Sequence, residues 1–319
     1  MVDRIATSAR KWGNLLARRA GTARLKRRRL GLAAGLLLFV GGVVVSLSRL
    51  PDVHREPRWE LLALVALVGV PLTLAFNAAE YQVAAAVVGH RVPFVSALRV
   101  GTLAAAANLL PVPGAVLVRA NAIRRLGASY RRIALSAGVT TVAFIGAPCL
   151  VASLLLAAAG EIAFTVILAA AGVLLLGLAL GVLTVERGFR EGGRILLAAE
   201  ARAVGALLVK AGRLYLVLLA FHYDAGARQA LTLAIGAVIG TALGFFPAGL
   251  GAAEALAAAL SPLVGLSAAV GFVANAIDRV ISMIGLAIAC SVIFLVERRR
   301  RSGLPRSSTP LKDEEPRAN

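Results

Sequence analysis

The sequence predicts an all-α, polytopic membrane protein with about six transmembrane helices and two opposed re-entrant helical hairpins in an inverted repeat. Three observations carry this. The 319-residue chain is 59% hydrophobic and only 16% charged, with a mean hydropathy of +0.83; a soluble domain is roughly 45–50% apolar and about 25% charged. Its apolar runs reach about 20 residues, enough to cross a bilayer as helices. Two hydrophobic stretches are broken by proline and glycine, at Asn108-Leu109-Leu110-Pro111-Val112-Pro113-Gly114 and at Gly244-Phe245-Phe246-Pro247-Ala248-Gly249-Leu250-Gly251-Ala252-Ala253-Glu254.

Residues 1–29 form a basic cytoplasmic arm, with Trp12, Leu15 and Leu16 placed for an interfacial amphipathic helix. No Ala-x-Ala site follows the first apolar run, about Leu30–Leu50, which reads as an uncleaved anchor. A second span covers about Glu60–Gly89 and carries the polar cluster Asn77, Glu80, Tyr81 and Gln82. Pro93–Leu110 and the short piece from Gly114 to Leu126 are each short for a span, so the pair reads as a re-entrant hairpin. Spans near Ile133–Ala159 and Ile162–Val185 follow, joined at Gly160-Glu161. Glu186–Arg202 reads as a charged loop or surface helix, and about Ala203–His222 as the fifth span. Gln229–Phe246, the second break and Ala252–Leu260 make the second hairpin. A last span runs from Gly265-Leu266-Ser267 to Val296, which closes a transmembrane domain of residues 30–296. The charged tail 297–319 reads as disordered and cytoplasmic.

The net charge of +19 is placed, not spread. Basic residues crowd into Arg4–Arg29, Arg119–Arg132, Glu186–Arg202 and Arg298–Arg301, while Gly160-Glu161 and His222–Arg228 hold a single arginine. Under the positive-inside rule this puts both termini and every basic cluster on the cytoplasmic face of the cell membrane. The first hairpin then enters from the cytoplasm and the second from outside. The halves share one order: long helix, Pro-Gly break, short helix, Gly-x-Ser (Gly127-Ala128-Ser129, Gly265-Leu266-Ser267), long span. Inverted repeats with paired broken helices are the sequence pointer to a transporter site at the midplane.

The breaks are where chemistry is expected. Helix N-termini at about Gly114 and Gly251 would present free N–H groups to an anion such as a phosphate. Pro111, Pro113 and Pro247 stop the preceding helices, and Gly249 and Gly251 either line a site or allow close helix packing. Valine at both glycines is expected to block close approach in a folded protein. Arg119 either holds a phosphate or snorkels with Arg124 and Arg125. Glu254, in apolar surroundings, pairs with a cation, protonates during transport or caps its helix; Arg279 is its expected partner. Asp278 is, with Glu254, a candidate for proton coupling. Lys210 and Arg213 are expected to snorkel, and Arg99 and Asn108 add polar groups near the first hairpin.

Other chemistries lack their residues. No nucleotide-binding Gly-rich loop with Lys-Ser/Thr, no His-Glu-x-x-His and no Gly-x-Ser-x-Gly occur. His54, His90 and His222 lack ligand spacing, so no metal or other cofactor is expected. Cys149 and Cys290 read as small packed hydrophobes. The expected partners are membrane lipid and anionic lipid at the cytoplasmic face, with a homodimer allowed. No nucleic-acid partner is expected, since no folded basic domain is visible.

Pro247-x-Gly249-x-Gly251-x-x-Glu254, then Gly265-Leu266-Ser267 and Arg279, resembles the second half of the lysylphosphatidylglycerol synthase transmembrane-region, or flippase-like, family. Asn108, Pro111, Gly114, Arg119 and Leu126-Gly127-Ala128-Ser129 resemble its first half in outline, and the likeness covers about residues 30–296. It implies movement of a polar-headed lipid between leaflets without the aminoacyl-transferase domain of the bifunctional members, and it implies that these residues bind substrate. Two departures bear on the headgroup. Ala115 follows Gly114 where members often have Glu, and Gly138-Val139-Thr140 replaces a usual Glu-Arg pair. With those groups gone, Arg119 and Arg279 favour an anionic, phosphate-bearing lipid, a phospholipid or a polyprenyl-phosphate glycolipid, over a lysyl cation. The alternatives are an intramembrane lipid-modifying enzyme and a non-transporting scaffold of a lipid or cell-envelope pathway.

Overall fold

The computed structural model describes residues 33–49, 56–109, 114–158, 160, 162–242 and 249–302. The basic arm, most of the tail, and Pro111, Pro113 and Pro247 lie outside these residues. All regular structure among them is helical. Ten helices follow in order: α1 Ala33–Ser48, α2 Trp59–Val87, α3 Phe94–Ala107, α4 Gly114–Arg125, α5 Tyr130–Ala158, α6 Ile162–Arg187, α7 Phe189–Ala220, α8 Ala227–Ala242, α9 Ala252–Leu260 and α10 Ala268–Ser302. A 3₁₀ turn, Ser261–Val264, extends α9.

Five of these (α2, α5, α6, α7 and α10) are long and apolar enough to cross a membrane. Their outer faces expose large apolar side chains such as Leu67, Leu154, Val173, Leu208 and Ile288, a surface suited to lipid. The protein is an all-α polytopic membrane protein. α2-α3-α4-α5 and α7-α8-α9-α10 each run long, short, short, long, and α3 packs on α4 as α8 packs on α9.

Lipid tails are as apolar as leucine, so helices associate in a membrane through close packing instead of hydrophobic exclusion. The second hairpin shows this. Gly236 and Gly240, four residues apart on α8, face Ala253 and Ala257 of α9; a Cβ on Gly240 would stand 2.5 Å from the Ala253 Cα. Leu207, Leu214, Leu218 and Leu233 fill the fully buried core beside it.

Two expectations are corrected. Glu186–Arg202 is helical and not a loop, and it is no separate surface element: it ends α6 and opens α7. α6 and α7 are separated by Gly188 alone, which takes φ +79°. α7 then runs 32 residues, about 48 Å at 1.5 Å per residue. The stretch is rich in Glu, Arg, Leu and Ala, good helix formers whatever their charge. Arg187 ties this junction to α2, donating to the carbonyls of Ala86 and Val87 at 2.9 and 3.1 Å. The tail boundary also moves, since α10 continues through Ser302, past residue 297.

α2 carries a π-helical turn, Val65–Gly69, just before Pro71. Proline has no N–H to give the carbonyl four residues back, so the ladder must adjust there. π turns recur at functional sites, and the last residue of this one, Gly69, packs against Arg213.

Candidate functional site

The middle of the protein holds a cavity of about 320 Å³ walled by α2, α5, α7, α8, α9 and α10 and by Asn108 and Leu109 at the end of α3. Its polar lining comprises Thr73, Asn77, Glu80, Asn108, Arg202, Lys210, Arg213, Thr241, Asp278, Arg279 and Ser282. Leu109, Phe144, Pro148, Val238, Met283 and Leu286 supply apolar wall, and Leu109 and Met283 are exposed.

The charges form three groups. In the first, Glu80 of α2 accepts from both terminal nitrogens of Arg119 of α4, at 2.5 and 3.1 Å, and from Arg202 Nη1 of α7 at 3.2 Å. In the second, Asp278 of α10 takes Lys210 Nζ on Oδ2 at 2.6 Å and lies 2.6 Å from Arg213 Nη2 through Oδ1. Arg213 also donates to Thr73 Oγ1 at 2.8 Å, to the Asp278 carbonyl at 3.1 Å and to Ser282 Oγ. Its passage is cut through α2 by Gly69, where a Cβ would come within 2.6 Å of the Arg213 Cγ. In the third, Arg279 Nε donates to Glu254 Oε1, Glu254 Oε2 accepts from the Gly251 N–H at 2.8 Å, and Arg279 Nη2 reaches the Gly249 carbonyl at 3.3 Å.

The third group supplies partners to backbone groups at the second break; unmatched, such groups in an apolar surrounding cost several kcal/mol each. Glu254 satisfies a donor at the break and Arg279 an acceptor. Two of the three roles open to Glu254, cation pairing and helix capping, hold together. Glu254 is fully buried, and its pairing keeps that charge from standing alone.

Of the residues expected to bind substrate, Asn108 and Arg279 line the cavity, as does Asp278 of the proton-coupling pair. Arg119 and Glu254 stand one ion pair behind it. Gly114 opens α4 tight against α3, and Gly249 and Gly251 stand at the second break. A Cβ on Gly114 would meet the Ala107 carbonyl oxygen at 2.0 Å, while Gly249 and Gly251 take φ +67° and +80° and face Thr241 and Leu38 at 2.7 and 2.8 Å. Close packing, the alternative reading of these two glycines, is what their positions show. Valine there would not leave the fold intact, because positive φ is strained for any branched side chain.

No family model and no curated protein matches the chain.

Four site residues escaped sequence reasoning. Arg202 lies in the stretch read as a charged loop or surface helix, yet is 6% exposed and its guanidinium stands 5.9 Å from the Phe144 ring centroid. Lys210 and Arg213 do not snorkel; they turn inward to Asp278. Pro148 cannot donate to the Phe144 carbonyl four residues earlier, which leaves an acceptor without its helical bond where both residues line the cavity. A proline inside an apolar span was the visible signal for the last. Among the described residues no His/Cys/Asp/Glu group could hold a metal ion, and Cys149 and Cys290 are free and half-buried.

Proposed function

We propose that the protein moves a polar-headed, phosphate-bearing lipid between the leaflets of the cell membrane, with both termini in the cytoplasm. The observation that carries this is the cavity. Four cations line it against two carboxylates, parts of both hairpins wall it, and its volume matches about ten waters at ~30 Å³ each. That is room for a headgroup and not for acyl chains, which would remain among lipids beyond Leu109 and Met283. A charge crossing hydrocarbon unaided must shed its water at high cost; arginine and lysine side chains replace that water, arginine by forked hydrogen bonds that suit phosphate. The resemblance to the flippase-like family points the same way. With no nucleotide motif, movement is passive or coupled to protons, and coupling through Glu254 or Asp278 would require opening their ion pairs.

In liposomes, the purified protein is expected to speed leaflet exchange of a phosphate-bearing lipid and leave the headgroup unchanged. Arg202→Gln should slow this about tenfold, the loss of roughly 1.4 kcal/mol in the transition state, while Glu80 keeps Arg119 and the fold. Conversion of the lipid to a new species would favour the enzyme instead. Normal exchange by the variant would remove Arg202 from the path. Absence of exchange with a panel of phospholipids and polyprenyl-phosphate lipids, with and without a proton gradient, would leave the scaffold.

Orientation has its own test. Opposed hairpins require Asp224 outside and Arg190 inside, both at exposed positions. Cysteine at Asp224 is expected to react with an impermeant thiol reagent on intact cells, and cysteine at Arg190 only after lysis. Labelling of both on intact cells would overturn the inverted arrangement.

A further inference from the structure

The charge groups around the cavity are unequal in a regular way. Glu80 is shared by two cations, Arg119 and Arg202, and Asp278 by two more, Lys210 and Arg213. Each of these triads carries one positive charge beyond neutrality, whereas Arg279 and Glu254 cancel. The count is the same for the lining alone, where four cations meet two carboxylates, and for the lining with its ion-paired backing, where five meet three. The hairpin segments outside the described residues, 110–113 and 243–248, contain no ionisable side chain, so they do not change it. Glu200, two residues from Arg202 on α7, acts on Arg202 electrostatically but forms no ion pair with it and does not line the cavity, so it stands outside both counts. The second triad also has an unspent donor: Arg213 Nε is buried with no hydrogen-bond partner.

We infer that the cavity is built for a headgroup with two negative charges, one opposite each triad, and so for a lipid phosphomonoester or a diphosphate joining lipid to sugar, not for a phosphodiester phospholipid with one. This rests on the lipid-transport reading and names the substrate class within it. A phosphodiester leaves one partly buried cationic triad uncompensated, and uncompensated charge withdrawn from water is unfavourable. A phosphomonoester carries about 1.5 to 2 negative charges at neutral pH, and a disubstituted diphosphate carries two. Either offers several acceptor oxygens to the forked arginine donors.

The experiment measures binding and exchange separately on the full-length purified protein. Phosphatidic acid, a polyprenyl phosphate and a polyprenyl-diphosphate-linked sugar are compared with phosphatidylglycerol and phosphatidylcholine, by displacement of a labelled phosphatidic acid and by leaflet exchange in liposomes. Dianionic lipids are expected to bind at least tenfold more tightly than phosphatidylglycerol. The arms separate the two sources: preference for the phosphomonoesters or for the diphosphate-linked sugar identifies which one the site takes. Lys210→Gln, which leaves Asp278 with Arg213, should erase most of the tenfold preference. Lys210→Arg should keep it, and Lys210→Gln with Asp278→Asn, which restores the charge of the triad, should recover it. Equal binding of phosphatidylglycerol and the dianions, or an unchanged preference in Lys210→Gln, would overturn the inference. Exchange without dianion preference sinks the inference and leaves lipid transport standing; dianion binding without exchange does the reverse. If a Lys210 single variant fails to fold, the wild-type ranking still decides.

Discussion

Glu254→Gln is expected to lower the protein's stability by about 3–5 kcal/mol, the usual cost of removing one partner of a buried ion pair. The carboxylate is fully buried, bound on one oxygen by Arg279 and on the other by the Gly251 N–H. Its neutral replacement leaves the Arg279 guanidinium uncompensated and weakens the start of α9. The thermal midpoint in detergent and the folded yield should both fall. Pairing Glu254→Gln with Arg279→Gln should recover most of the yield, because the stranded cation is gone, but not all, because the Gly249 carbonyl loses its donor. If the single variant were as stable as the parent, the ion pair would not be what holds the second break.

The second large effect is expected at the turns. Gly114→Ala places a methyl where the Ala107 carbonyl oxygen stands, 2.0 Å away on rigid backbone, and Gly251→Ala combines φ +80° with a Gly35 carbonyl oxygen at 2.9 Å. The first hairpin must open, and α1 must move off the second break, to admit the new atom. Size-exclusion profiles should show loss of the monodisperse species for both variants. Gly181→Ala, on α6 with nothing within 4 Å, should be neutral or slightly stabilising, since alanine is about 1 kcal/mol the better helix former. A well-behaved Gly114→Ala protein would mean that the first hairpin is more open than α3 and α4 make it.

Much of this architecture is written locally. Apolar runs and Pro-Gly breaks locate α2 to α6 and the two hairpins to within a few residues, because hydrophobic length and helix-breaking chemistry act on near neighbours. The site was legible in part for the same reason. Asn108, Glu254 and Arg279 are polar residues in apolar company, a local oddity. What stayed hidden depends on distant partners. Lys210 and Arg213 look like residues that reach for an interface, and only Asp278, 68 and 65 positions on, draws them inward. Arg202 was hidden by the density of charge around it, which suits a loop or a surface helix more than a buried position. The Glu80 triad joins α2, α4 and α7, and no spacing in a single segment announces it.

α7 supplies cations to both triads. Arg202 and Lys210 are eight residues apart, about 12 Å along one rigid rod, and between them Gly205 lets the Phe76 ring press against the helix, where a Cβ would stand 2.4 Å from its edge. One continuous helix thus carries a cation of each triad, so the separation of the Glu80 and Asp278 groups is set by helical rise and not by either ion pair.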